Sequence, residues 1–256
     1  MARFLADHPE TLVSTKVGFL APGTAIDAAH AGVVEHANTA HDLNPAYVHW
    51  QMERNRAELG RDILDTVFLH NPEHGAGPDR DAFHAMLLDA FAVLEAEADA
   101  GHIRGYGVAT WSGFTDGLFS VADLLALADQ AAPGAHHLTA VQLPVSLVNL
   151  DPITAWLDGR GPIADAARAG LAVLASAPLH GGELPPLVND ELAAYIRPGL
   201  TPARAALHAV MSCPDISHVL LSASTAEHWR EAADTLDLPP LPTEHLRKVA
   251  HVLAAE

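Results

Sequence analysis

The sequence predicts an α/β fold of the TIM-type (β/α) barrel class, incomplete, with about six of the eight β-α units. Two observations carry this. Six short apolar runs alternate with longer amphipathic stretches along all 256 residues, and no Gly/Ser-rich or charged linker separates them. A single partial-barrel domain over 1–256 is the expectation. Chemically useful side chains also fall at the C-terminal ends of successive runs: Lys16, His70, Thr110, Gln142 and Ser176. Barrels of this class carry their sites at that end. No GxGxxG follows the first run, which weighs against an open doubly wound sheet with a dinucleotide crevice.

The expected strands are 11–17, 64–70, 104–110, 138–143, 171–176 and 217–222. Each is aliphatic and near-continuous, as parallel strands covered on both faces are. Helical patterns occupy 45–59, 81–100, 118–131, 161–169, 201–211, 225–236 and 243–254. Asn44-Pro45 opens the first of these with a cap and a proline in the first turn, and Gly60 follows its end. Thr201-Pro202 repeats the device, and Gly101 closes the helix containing "AFAVLEAEADA". Asp116-Gly117, Pro133-Gly134 and Gly181-Gly182 mark loops. Residues 20–43 show no clear period and read as a long loop, which is usually functional or mobile. Loops at 18–44, 72–80 and 180–198 are expected to line the pocket.

Hydrophobic residues make up 49% of the chain, enough for a substantial core, and the apolar runs are strand-sized rather than membrane-sized. A net charge of −18 argues against nucleic-acid and anionic-membrane partners, which need basic patches. The acidic residues lie along helical stretches and read as solvated faces. One cysteine, Cys213, fits a reducing, cytoplasmic setting. The 17 histidines are scattered. His136-His137 has no carboxylate or cysteine at ligand spacing, so no metal site is expected.

Lys16 stands out because the chain holds one other lysine, Lys248, and Lys16 lies inside the apolar run "LVSTKVGFL". His70 ends the run "LDTVFLHNPE" in the same way. Neighbouring parallel strands lie roughly 4.8 Å apart, so the two heads are expected to meet in a pocket. A cation in a partly dry pocket favours an enolate or alkoxide. Desolvation or a nearby protonated histidine would lower the lysine pKa and make it a base or an imine-forming amine. A lysine snorkelling at a strand end beside a core histidine is the plain structural alternative.

Six ordered stretches resemble the aldo-keto reductases: "STKVGF", "RNRAELGRDILDTVFLHNPE", "AGHIRGYGVATWSGF", "AVQLP", "GLAVLASAPLHGGEL" and "TPARAALHAVMSCPDISHVLLSASTAEHWREAADTL". "HNPE" and "YGVATW" are typical of one bacterial-type branch. The resemblance implies that Lys16 and His70 match the catalytic lysine and histidine. It places the family's catalytic aspartate and tyrosine in two β-α elements ahead of the lysine strand. This sequence begins at the helix before that strand, so a truncated or divergent member with half the tetrad is expected. Tyr47, His36, His41 and Asp42, in or near the first long loop, are candidates for the missing acid. Tyr47 and Trp111 are the expected pocket-lining residues.

The resemblance also implies a nicotinamide cofactor site. Gln142 matches the residue that holds the carboxamide, and Ala109-Thr110 replaces the family's Ser-Asn pair. Ser176, Leu179 and Gly181 match the pyrophosphate loop, where small residues let N–H groups approach phosphate. At the adenosine end the chain offers Ser222, Ala223, His228, Glu231 and Ala232, with Arg230 as a possible substitute for the lost cations. Charged hydrogen bonds are worth about 1.5–3 kcal/mol each, so NADP(H) binding is expected to be weak or absent. Three readings follow: a diverged non-redox enzyme on a small carbonyl metabolite, an NAD(P)H-dependent oxidoreductase lacking its N-terminal segment, and a non-catalytic scaffold or binding subunit. Six strands leave open edges, so a homodimer is expected.

Overall fold

The computed structural model describes residues 1–254. In chain order it contains α1 (Ala2–Asp7), β1 (Ser14–Val17), α2 (Pro22–His30), α3 (Pro45–Leu59), β2 (Thr66–His70), α4 (Arg80–Asp99) and β3 (Tyr106–Ala109). There follow α5 (Val121–Ala131), β4 (Leu138–Pro144), α6 (Asp151–Leu157), α7 (Gly161–Arg168) and β5 (Ala172–Ser176). The last elements are α8 (Asp190–Ile196), α9 (Pro202–Met211), β6 (His218–Val219), α10 (Ala226–Leu236) and α11 (Thr243–Ala254). Sheet order follows chain order, β1-β2-β3-β4-β5-β6. The β1-β2, β2-β3 and β5-β6 pairs are parallel. This is the expected α/β, incomplete TIM-type architecture, with six strands where a closed barrel carries eight. No described helix is long and apolar enough to cross a membrane.

The chain divides into two compact units, Met1–Ala140 and Val141–Glu256. In the first, helix starts are set by local chemistry. The Asn44 side chain caps α3 by accepting from Tyr47 N, and Gly60 ends it in the left-handed region. Asp79 caps α4, and Ser120 with Asp123 forms a capping box on α5. Phe83, Leu87, Ala90, Phe91 and Leu94 of α4 are buried, as are Val67, Phe68 and Leu69 of β2.

The outer edge of β1 is covered by its own chain. Tyr47, Gln51 and Asn55 repeat every four residues on one face of α3. Asn55 Nδ2 donates to Lys16 O at 3.2 Å, Gln51 Oε1 accepts from Gly18 N at 2.8 Å, and the Tyr47 hydroxyl donates to Phe19 O at 3.3 Å. Asp42 N donates to Gly18 O at 2.9 Å, next to an antiparallel bridge between Phe19 and His41. An edge engaged in this way is a poor template for another strand.

In the second unit, Trp156 Nε1 donates to Asp215 Oδ2 at 2.6 Å and anchors α6. Arg197 donates to Pro239 O at 2.7 Å, and the Ser212 hydroxyl bridges His208 O and Leu241 N. Alanines 205, 206 and 209 bury α9 closely.

Several elements differ from the sequence reading. The 20–43 segment contains α2, whose buried positions are Ala25 and Ala28. Alanine gives too little contrast to register as a period. Residues 151–157, left unassigned by the pattern, form α6, and the expected 180–198 loop contains α8. The last strand shrinks from 217–222 to His218–Val219, although Leu220 N still donates to Ala175 O at 2.8 Å. Two acids on α4 are not on a solvated face: Glu95 and Glu97 are 4% and 5% exposed. Glu97 accepts from His49 Nδ1 at 2.5 Å and His102 Nδ1 at 2.7 Å.

Candidate active site

Lys16 lies on β1 opposite Phe68, and His70, the last residue of β2, stands two residues beyond that partner. Both are half-buried. Burial lowers the Lys16 pKa, and among the described residues no carboxylate offsets that effect. His70 is pushed down to about 4, first by burial, then by the Lys16 cation and His41, with Glu73 opposing and His74 adding slightly. The imidazole is therefore neutral at pH 7. Between about 4 and 6.5 the unfolded chain binds a proton at position 70 that the folded chain refuses. Stability accordingly rises with pH through that window and is fully present above it. His70→Gln is expected to reduce this acid loss by on the order of 2 kcal/mol. Urea unfolding at about pH 5 and about pH 7.5 measures it, and an unchanged difference between the two would contradict the assignment.

Phe19 gathers three imidazoles around its ring. Its centroid lies 4.9 Å from His41, 4.7 Å from His70 and 5.0 Å from His74, all edge-on. His41 Nε2 lies 2.8 Å from His70 O. A carbonyl oxygen only accepts, so Nε2 carries the hydrogen, and neutral His41 presents a lone pair at Nδ1. Gly18, at φ 134°, makes this approach possible: a Cβ there would come within 2.9 Å of His41 Nε2 and 3.0 Å of His70 O.

Glu73 follows β2 in a short 3₁₀ turn and ties the end of β3 to the site. Its carboxylate accepts from Thr110 Oγ1 at 2.9 Å, Trp111 N at 2.6 Å and Ser112 N at 3.0 Å. Thr110 Oγ1 also accepts from Gly113 N at 2.8 Å, and the residue is 3% exposed. Its donor is engaged with the Glu73 carboxylate. Trp111 is 52% exposed. Tyr47 is fully buried in a cluster with Leu20, Ala25, Ala28 and Val34. Burial raises its pKa, and its hydroxyl bonds to Phe19 O. It supports the floor of the loop and does not line an open pocket.

The second unit carries the remaining expected cofactor residues. Gln142 is buried on β4, and its amide has no hydrogen-bond partner among the described residues. Ser176 ends β5, and Leu179 and Gly181 lie in the turn beyond it. Ala177 and His180, both non-glycine, have positive φ of 50° and 48° there. Ser222 and Arg230 are exposed, the latter on α10. Among the described residues no group of three or more His, Cys, Asp or Glu is arranged to hold a metal.

The sequence reading missed Glu73, Phe19, His74 and the role of Gly18. Glu73 stood inside the quoted "HNPE", but its partners lie almost forty residues away.

The family described as "Aldo/keto reductase family" matches residues 1–254, and the chain belongs to it. Membership implies an oxidoreductase-like enzyme that acts on small carbonyl compounds. No curated protein matches the chain. Among solved structures it is similar to the aldo-keto reductase AKR11C1 from Bacillus halodurans (holo form), with 16% identity and a TM-score of 0.68 over 98% of this chain and 76% of that one. It is also similar to the thermostable aldo-keto reductase Tm1743, solved in complex with the inhibitor epalrestat. There the identity is 17% and the TM-score 0.61, over 82% of this chain and 67% of that one. At these identities the structural likeness speaks for the fold.

Proposed function

We propose that this chain is an aldo-keto-reductase-family enzyme that transforms a small carbonyl metabolite by proton transfer, dehydration or cyclisation, without net hydride transfer, using Lys16 and His70. The observation that supports it is the half-buried Lys16 cation beside a neutral imidazole, with no carboxylate counter-charge among the described residues. A negative oxygen developing on the substrate would be its partner. In its neutral form the same amine would add to the carbonyl carbon and form an imine with loss of water. The tyrosines of the first unit are both engaged: Tyr47 with Phe19 O and Tyr106 with Glu95 Oε1. In the second unit the Tyr195 ring packs at a tilt against His245, with centroids 5.5 Å apart.

A second reading, an NAD(P)H-dependent carbonyl reductase, is favoured by one observation, the unpartnered Gln142 amide. Weighing against it are the engaged Thr110 hydroxyl and the exposed Ser222 and Arg230 at the adenosine end. Titration with NADPH, followed by tryptophan fluorescence, separates the two. The expected result is weak or no binding. A Kd below about 1 μM, worth about 8 kcal/mol, would replace the first reading with the second. We place the enzyme in a reducing cytoplasm, on the single buried Cys213. The homodimer first expected from open strand edges loses support on the β1 side, where Asn55, Gln51 and Asp42 engage the backbone.

A further inference from the structure

We infer that His41 is the proton-transfer residue of this site, and that its ligand is a carbonyl compound with a hydrogen on the carbon beside the carbonyl. The inference rests on the proton-transfer function proposed above and supplies the base that Lys16 and His70 leave unassigned.

Of the four side chains near the first loop that suit such a role, three are otherwise occupied. His36 is exposed and lies 3.5 Å from Glu35. Asp42 Oδ1 accepts from Asn44 N at 2.8 Å, ahead of α3. Tyr47 is in the core. His41 is instead brought to the end of β2. The bridge to Phe19 fixes its backbone, and the bonds Leu20 N to Ala40 O and Asp42 N to Gly18 O, both 2.9 Å, hold the residues on either side. The bond from Nε2 to His70 O then fixes the ring, and the missing Cβ of Gly18 leaves room for it.

An imidazole with one nitrogen held as a donor and the other bearing a lone pair is arranged as a general base. Nδ1 of His41 has no hydrogen-bond partner among the described residues. Asp42 on its own segment, His70 on β2, and Glu73 and His74 on the following turn are the titratable groups acting on it. Burial, the largest influence, lowers its pKa and favours the neutral ring at pH 7.

The step balances without a further reagent. Nδ1 takes the α-proton, the C–H electron pair becomes the C=C bond, and the carbonyl oxygen becomes an enolate opposite the Lys16 ammonium. The imidazolium returns its proton to carbon, or to a β-hydroxyl that leaves as water.

The test is α-proton exchange in D2O, followed by 1H NMR, with hydroxyacetone, dihydroxyacetone and acetoacetate as probes. The wild type is expected to exchange at least one probe faster than buffer. His41→Gln, whose amide still donates to His70 O, is expected to slow exchange about 10²-fold or more and to lose the acid limb of the pH–rate profile. Added imidazole is expected to restore part of the rate in His41→Ala. Exchange by His41→Gln at the wild-type rate, with the acid limb intact, overturns the role of His41 and leaves the proton-transfer function standing. No exchange of any probe by the wild type overturns that function and this inference together.

Discussion

Lys16→Met is expected to lower α-proton exchange about 10²- to 10³-fold while raising the melting temperature at neutral pH. The two effects have one cause. Burial disfavours the Lys16 cation, and no carboxylate among the described residues compensates it. A group whose folded pKa lies below its unfolded value binds more protons in the unfolded chain. Wild-type stability therefore rises with pH between the lowered value and 10.5. Methionine keeps the unbranched stem and the strand position, removes the desolvated charge, and leaves no partner orphaned. The variant should gain stability near pH 7 and lose the alkaline rise. Exchange kinetics and thermal melts at about pH 7 and about pH 9.5 measure both. A variant less stable than the wild type would assign Lys16 a structural role, and undiminished exchange would remove it from the chemistry. A rise in stability with loss of rate is the pattern of a strained functional group.

Lys16 and His70 are legible in the sequence because a polar side chain at the end of an apolar strand contradicts its surroundings. The alternation of strands and helices is legible because bulky aliphatic residues carry the period. Asn44-Pro45 and Gly60 mark α3 because caps are local chemistry. Illegible features share a different property, dependence on contacts distant in sequence. Thr110 looks like a free hydroxyl until the fold brings Glu73 to it. Tyr47 looks like a pocket residue until α2 and the following loop close over it. Among four candidate acids near the first loop, the bridge between Phe19 and His41 distinguishes one. Gly18 matters because two atoms from different segments meet where its Cβ would stand. The acids of α4 read as solvated because their histidine partners lie on other elements.

Glu95→Ala is expected to be the most destabilising of the substitutions considered, by about 3–5 kcal/mol, with little change in exchange rate per folded molecule. Glu95 Oε1 accepts from the Tyr106 hydroxyl at 2.7 Å and His137 N at 2.8 Å, and Oε2 accepts from His137 Nδ1 at 2.7 Å. One carboxylate thus ties α4 to the start of β3 and to the lead-in of β4, at the opposite end of the strands from His70. Removing it leaves the Tyr106 hydroxyl, in a fully buried residue, without an acceptor, and opens a cavity between helix and sheet. Burial and the Glu95 bond raise the Tyr106 pKa, so the phenol stays a donor throughout the accessible pH range. Glu95→Gln keeps one oxygen for Tyr106 and should cost less than the alanine change, and Tyr106→Phe should cost about 1.5–3 kcal/mol. Urea unfolding of the three variants and of the Glu95→Ala, Tyr106→Phe double variant gives the coupling directly. A coupling near zero would reduce the bond to a geometric coincidence. A large coupling with unaltered exchange kinetics would place the stability of the first unit at the strand starts and its chemistry at the strand ends, as the division of labour in (β/α) barrels requires.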